Sequence, residues 1–188
     1  MKNLKYIFII NIIFSVLFLN SCKDDDPIDE NDGEIITTLT YTLTPTSGDV
    51  VTLSFVDLDG NGGGISPTIT GGTLQANMDY TGTLDLQNES EEPAESITVE
   101  IEAEKEDHQF FFVSSSTLNL SVGYSDQDAD GNPVGLSTTL TAGAASSGTL
   151  TVILKHEPEK TASGVSTGDI TNAGGDSDIE VTFDVEIQ

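Results

Sequence analysis

The 188-residue chain has no arginine and no tryptophan, one cysteine and two histidines, and it sets six lysines against 32 acidic residues. Each scarcity removes a class of function. Without arginine the chain lacks the planar fork that binds phosphates and carboxylates in pairs. A formal charge of −26 repels the nucleic-acid backbone, whose binding depends on neutralising phosphates. Nucleic acid and anionic lipid surfaces are therefore excluded as partners, and cations are favoured. A single cysteine forms no intramolecular disulfide and no C-x-x-C pair. Carbohydrate recognition favours exposed aromatics, and with tryptophan missing only Tyr41, Tyr80 and Tyr124 are left as candidates. No Walker loop or H-E-x-x-H motif occurs.

Long apolar runs are equally scarce. The run from Ile7 to Leu19 follows Lys2 and Lys5 and is too short to span a bilayer comfortably. It suits the apolar region of a secretory signal. It closes in Leu19-Asn20-Ser21-Cys22, which resembles a bacterial lipobox, with Asn20 departing from the usual small or apolar residue. The expectation is a lipoprotein signal peptide over 1–21, cleaved to leave Cys22 acylated at the new N-terminus. Several acyl chains anchor far more firmly than one. An uncleaved anchor or an ordinary secreted protein is the alternative. Losing Lys2 and Lys5 takes the charge from −26 to −28. With Cys22 lipidated, a cysteine protease or thiol-redox role is closed. Residues 22–33, CKDDDPIDENDG, read as an acidic tether, because such residues build no core.

From Glu34 to Gln188 the composition turns to Thr, Val, Ile, Leu and Gly, in short runs broken by turn residues. Strands are expected over 35–43, 50–56, 65–70, 79–86, 109–114, 118–124, 148–155 and 178–187. In the last, Ile179, Val181, Phe183, Val185 and Ile187 alternate with polar residues. The pattern predicts a single mainly β domain over 34–188, an antiparallel immunoglobulin-like β-sandwich. One short helix is expected at about 93–107, where Pro93 suits a helix start and Glu, Ala and Lys are dense.

Two loops scan as half of a calcium-binding pattern: Asp57, Asp59 and Asn61 before Gly62, and Asp126, Asp128 and Asp130 before Gly131. Alternating carboxylates can converge on one calcium ion, with glycine permitting the bend. Neither is an EF-hand, since the twelfth positions are Thr68 and Ser137. They are candidate calcium half-sites that need further oxygens, from each other or from Asp176 and Asp178. The alternative is that Asp, Asn and Gly are there as turn formers.

His108 and His156 each sit at an element boundary beside a carboxylate. Brought together, with Asp107 or Glu157, they would make a site for zinc, copper or iron. Two histidines can also ligate haem axially. Alternatively, each caps a strand end or pairs with its acidic neighbour. Gly164-Val165-Ser166-Thr167-Gly168 fits G-x-S-x-G, but it lies in a Ser/Gly-rich loop and no histidine follows it, so it is not a nucleophile elbow. No catalytic residues are identified, and the chain is read as a binder and not an enzyme. Of Phe110, Phe111 and Phe112, alternation buries at least one or two.

Cys22-Lys23-Asp24-Asp25-Asp26 resembles the acidic export signal of surface lipoproteins in Bacteroidota. Together with PAESITVEIEAEKEDHQFFF, YSDQDADGNPVGL and LKHEPEKTASGVSTGDITNAGG, it is similar to a family of small flavobacterial lipoproteins. Some of that family carry a type 1 periplasmic-binding label, which needs alternating strands and helices over a much longer chain. The resemblance implies an accessory lipoprotein on the outer membrane, facing the exterior, beside a TonB-dependent transporter. It carries over no site residues. Two functions stand: capture of a nutrient or metal ligand for handover to the transporter, or a structural or adhesive module with calcium-stiffened loops.

Overall fold

Period-two alternation decides which side of each strand is buried, and the buried sides meet in one core. The computed structural model describes residues 34–60, 63–90 and 92–188. The expected signal peptide, Cys22 and the expected tether, as well as Asn61, lie outside the described residues. The elements are β1 (Thr38–Pro45), β2 (Val51–Val56), β3 (Thr68–Thr70), β4 (Gly72–Leu74), β5 (Met78–Asn88) and β6 (Glu95–Ser96). They continue with α1 (Ile97–Ala103), β7 (His108–Ser114), β8 (Leu120–Tyr124), β9 (Ser137–Ala142), β10 (Ser146–His156) and β11 (Asp176–Ile187).

One sheet runs β3-β2-β1-β5-β9-β8, with β6 paired to β5; the other runs β4-β11-β10-β7. All pairs are antiparallel except β4 with β11. Leu39, Tyr41, Leu43, Leu84 and Leu86 of the first sheet pack with Phe110, Leu150, Val152, Leu154, Val181 and Phe183 of the second. Each such side chain contributes about 1.5–3 kcal/mol by leaving water. The immunoglobulin-like layering expected from the sequence, two face-to-face sheets around a shared core, is what the chain forms.

The second sheet is also covered outside. Phe111 and Ile153 pack with Val165 and Ala173 from the 157–175 connection. This cover resolves the three phenylalanines: Phe110 and Phe111 are both buried, on opposite faces, and Phe112 is partly buried against the main core. Tyr41 and Tyr80 are core residues, and Tyr124 donates to the Phe110 carbonyl at 2.7 Å, so none is displayed for a sugar. G-x-S-x-G falls on a 3-10 turn, Val165–Thr167, and not on a strand-to-helix elbow.

The expected helix is shorter than 93–107. Residues 95–96 pair with β5 and only Ile97–Ala103 is helical, with Ile97 and Ile101 facing the core. Glu102, Glu104, Glu106 and Asp107 crowd its C-terminal end, where the helix dipole disfavours negative charge. The expected strands are present with shifted ends, and the structure adds β4, β6 and β9.

Candidate metal centre

The antiparallel register places the start of β7, the end of β10 and the start of β11 at one edge of the second sheet. His108 opens β7, His156 closes β10, and the two are direct cross-strand partners. Both share parity with Phe110 and Leu154 and so lie on the core-facing side. Their rings stack with centroids 4.9 Å apart and planes inclined by 11°.

Asp178 arrives by an irregularity. On β11, Ile179 pairs with Leu154 and Ser177 with Lys155, so Asp178 faces no partner residue. Strict alternation would place it outside with Glu180. The bulge re-aims it instead, as bulges do, and its side chain is only 3% exposed, with Oδ2 3.9 Å from His108 Nε2.

His108 is fully buried. Its Nδ1–H donates at 3.1 Å to the Glu104 carbonyl just past α1, which also accepts from Asp107 N at 2.9 Å. In the neutral ring this fixes the tautomer and leaves Nε2 with a free lone pair, the arrangement characteristic of metal-ligating histidines. Glu34, in the lead-in to β1, brings Oε1 to 2.8 Å from that Nε2. The approach is not aligned as a hydrogen bond: His108 Nε2, Glu34 Oε2 and Asp178 Oδ2 are all buried without a hydrogen-bond partner. Each orphaned group costs about 1–3 kcal/mol.

These groups perturb one another. Burial opposes charge on His108, yet Glu34, the Glu104 carbonyl and Asp178 outweigh it and hold its pKa above the ordinary value. Burial likewise opposes charge on Glu34, but contact with His108 prevails and brings its carboxyl down to about 2. Asp178 is pushed up to about 6, first by burial and then by the Glu34 charge, against the pull of both histidines.

The ligand atoms of His108, His156 and Asp178 lie within 4.8 Å of one another, as do those of Glu34, Glu104 and His108. The backbone around His156 is clamped. Glu157 adopts φ +50° and donates its N–H to the Asp107 carbonyl at 2.6 Å. Gly175 approaches so closely that a Cβ there would sit 2.2 Å from the His156 carbonyl oxygen.

The two histidines thus meet, but with other carboxylates than the expected ones. Asp107 and Glu157 instead line an acidic cleft of about 340 Å³ with Asp128, Asp130 and Lys160. The two imidazoles are stacked side by side and do not oppose each other across a gap. Asp178 had no sequence signal, since regular alternation puts it on the solvent side with Glu180 and only the bulge turns it inward. Glu34 had none, because its approach depends on tertiary packing.

The second aspartate loop is filled by the protein itself. Asp126 accepts from Gly135 N at 2.7 Å and Ser137 N at 2.9 Å. Asp128 accepts from Asp130 N and Asn132 N through Oδ1 and from Lys160 Nζ at 2.9 Å through Oδ2. Lys160 is 5% exposed and also donates to the Lys105 carbonyl, so an ammonium stands where calcium was expected. Asp130 is exposed. In the first loop, Asp59 accepts from Ile65 N at 2.9 Å, and Asp57 Oδ1 is buried without a partner. Asp57 lines a cleft of about 570 Å³ with Asp178. Among the described residues, neither aspartate loop belongs to a converging ligand group.

Comparison of the chain with family models, curated proteins and solved structures finds no match in any of the three.

Proposed function

We propose that the domain captures a divalent transition-metal ion of the zinc class at His108, His156 and Asp178. The observation that carries this reading is the pair of buried atoms without a hydrogen-bond partner, His108 Nε2 and Asp178 Oδ2, on residues whose ligand atoms group with that of a second imidazole within 4.8 Å. Two imidazoles and a carboxylate suit zinc, copper or nickel, whereas calcium and magnesium prefer oxygen alone. A zinc tetrahedron has edges of roughly 3.3 Å. Donors spaced up to 4.8 Å therefore draw together slightly on their ion. Lipid attachment through Cys22 would hold this binder on the outer-membrane surface, facing outward, where a TonB-dependent transporter takes the captured ion onward. The acidic surface supports that role by concentrating cations around the site.

The structural-module reading depended on the aspartate loops, and Lys160 occupying Asp128 gives it no support. The test is elemental analysis of the full chain purified without chelator, followed by zinc titration calorimetry. Near-stoichiometric zinc binding that is lost in the His108→Ala/His156→Ala double variant is expected. Zinc binding that survives both substitutions, or none in the wild type, refutes the proposal. Radiolabelled fatty acid incorporated only when Cys22 is present, with protease sensitivity on intact cells, tests the placement.

A further inference from the structure

We propose that Glu34 is the fourth ligand of this ion, so that loading the site fastens the chain's lead-in to the sandwich. The inference rests on reading the site as a transition-metal centre. Glu34 stands apart from the other donors in origin. His108, His156 and Asp178 belong to β7, β10 and β11, whereas Glu34 comes from the segment that enters the domain.

That segment is lightly held. Among the described residues, the first backbone hydrogen bond on entering is from Thr37 N to Gln87 O at 3.0 Å, after which β1 begins. Ile35 projects into solvent, and Ile36 is only partly buried against the core. Yet the Glu34 side chain is only 11% exposed. It reaches inward to His108, which it meets as a buried ion pair when the imidazole is protonated.

Its geometry is that of a ligand. Glu34 Oε1 lies 2.8 Å from His108 Nε2 without hydrogen-bond alignment, and Oε2 is buried with no partner. Nδ1–H of His108 is engaged with Glu104, which leaves Nε2 directed at the same space as the carboxylate. Two buried donors this close without a hydrogen bond between them can serve as one edge of a coordination polyhedron. Four protein ligands close a tetrahedral site. Glu34 groups with His108 and Glu104, apart from His156 and Asp178, so the lightly held lead-in has to carry it closer for residues 34, 108, 156 and 178 to close one site. The loaded ion moves the exit point of the lead-in from Thr37 back to Glu34, at the junction with the acidic stretch that follows Cys22.

Zinc chloride added to the full chain tests this with two readouts. The first is hydrogen–deuterium exchange of peptides covering residues 34–37, which needs no variant. Exchange there is expected to slow on zinc addition. The second is zinc affinity by chelator competition for wild type, Glu34→Gln, Glu34→Ala and His156→Ala. Both Glu34 variants should bind about tenfold to a hundredfold more weakly, with no zinc-dependent protection of the lead-in. Zinc binding that needs His156 but stays within about twofold in Glu34→Ala, with unchanged exchange at 34–37, overturns the role of Glu34 and leaves the metal centre standing. A wild type that binds no zinc overturns both.

Discussion

His108 and His156 face each other directly across the β7–β10 pair, and their imidazoles stack at 4.9 Å on the core side of the sheet. The two are unequal. His108 is fully buried, caps the end of α1 through Nδ1 and stands between two carboxylates, while His156 is only partly buried. Replacing either with alanine should weaken zinc binding by about a hundredfold. Only His108→Ala should also destabilise the metal-free fold strongly, by about 2–4 kcal/mol, because it strands Glu34 and Asp178 without their positive neighbour. Calorimetry and urea unfolding in chelator separate the two effects. Equal stability losses in the two variants would contradict the asymmetry.

Asp178 predicts an unusual pH profile. Its folded pKa of about 6 stands above the unfolded carboxyl value, so between roughly pH 4 and pH 6 the folded state holds the extra proton. Stability from this group is therefore present at the acid side of the window and is lost as pH rises, by an amount on the order of 2–3 kcal/mol. In chelator, wild type should melt lower at pH 7 than at pH 5, and Asp178→Asn should flatten much of that slope. Added zinc should raise the wild-type melting temperature at pH 7 and the variant's far less. Parallel curves for the two proteins would sink the assignment.

Much of this was legible before the fold, and the gaps have physical reasons. Alternation located the strands carrying the core because a half-buried strand must alternate. It missed β9, where Thr138, Leu140 and Ala142 point inward but the flanking threonines gave little contrast. The histidines were visible as the only two in the chain, and strand ends are where sheet register brings distant residues together. Which carboxylates joined them was hidden. Among 32 acids no spacing singles out Asp178 or Glu34, since one is placed by a bulge and the other by the packing of a lead-in. The aspartate loop scanned as calcium because a pattern of backbone-facing carboxylates looks the same whether its cation is a metal or Lys160.

Lys160 and Asp128 make the second prediction about charge. The pair is buried, at 5% and 1% side-chain exposure, with Nζ 2.9 Å from Oδ2. Burial raises the Asp128 pKa, but Lys160, Asn132 and Asp130 together outweigh it and leave it below the ordinary value. The contribution is therefore present above the unfolded carboxyl pKa and is lost as pH falls through the lower folded value. Lys160→Met should cost about 3–5 kcal/mol at pH 7 by leaving a buried carboxylate without its cation. The gap from wild type should shrink steadily as pH falls below about 4. Denaturant unfolding at several pH values measures it, and a gap independent of pH would show that lost packing, not charge, is responsible.

Gly174 and Gly175 form a matched pair for testing how His156 is held. Both have φ near +61°, so alanine is strained equally at each by its backbone conformation. They differ in what a side chain would meet. At Gly174 the nearest atom to a Cβ is Glu159 Cγ at 3.8 Å, an ordinary contact. At Gly175 the Cβ would sit 2.2 Å from the His156 carbonyl oxygen and 2.9 Å from that of Glu157, and both are backbone atoms that cannot swing aside. Gly174→Ala should therefore cost about 1 kcal/mol and leave zinc affinity alone. Gly175→Ala should cost about 2–4 kcal/mol. It should also weaken zinc binding about tenfold, because relieving the clash moves the strand end that carries His156. Chemical denaturation and chelator competition on the two variants, side by side, give the comparison. Equal behaviour would mean that the close approach of the turn to His156 has no part in setting the site.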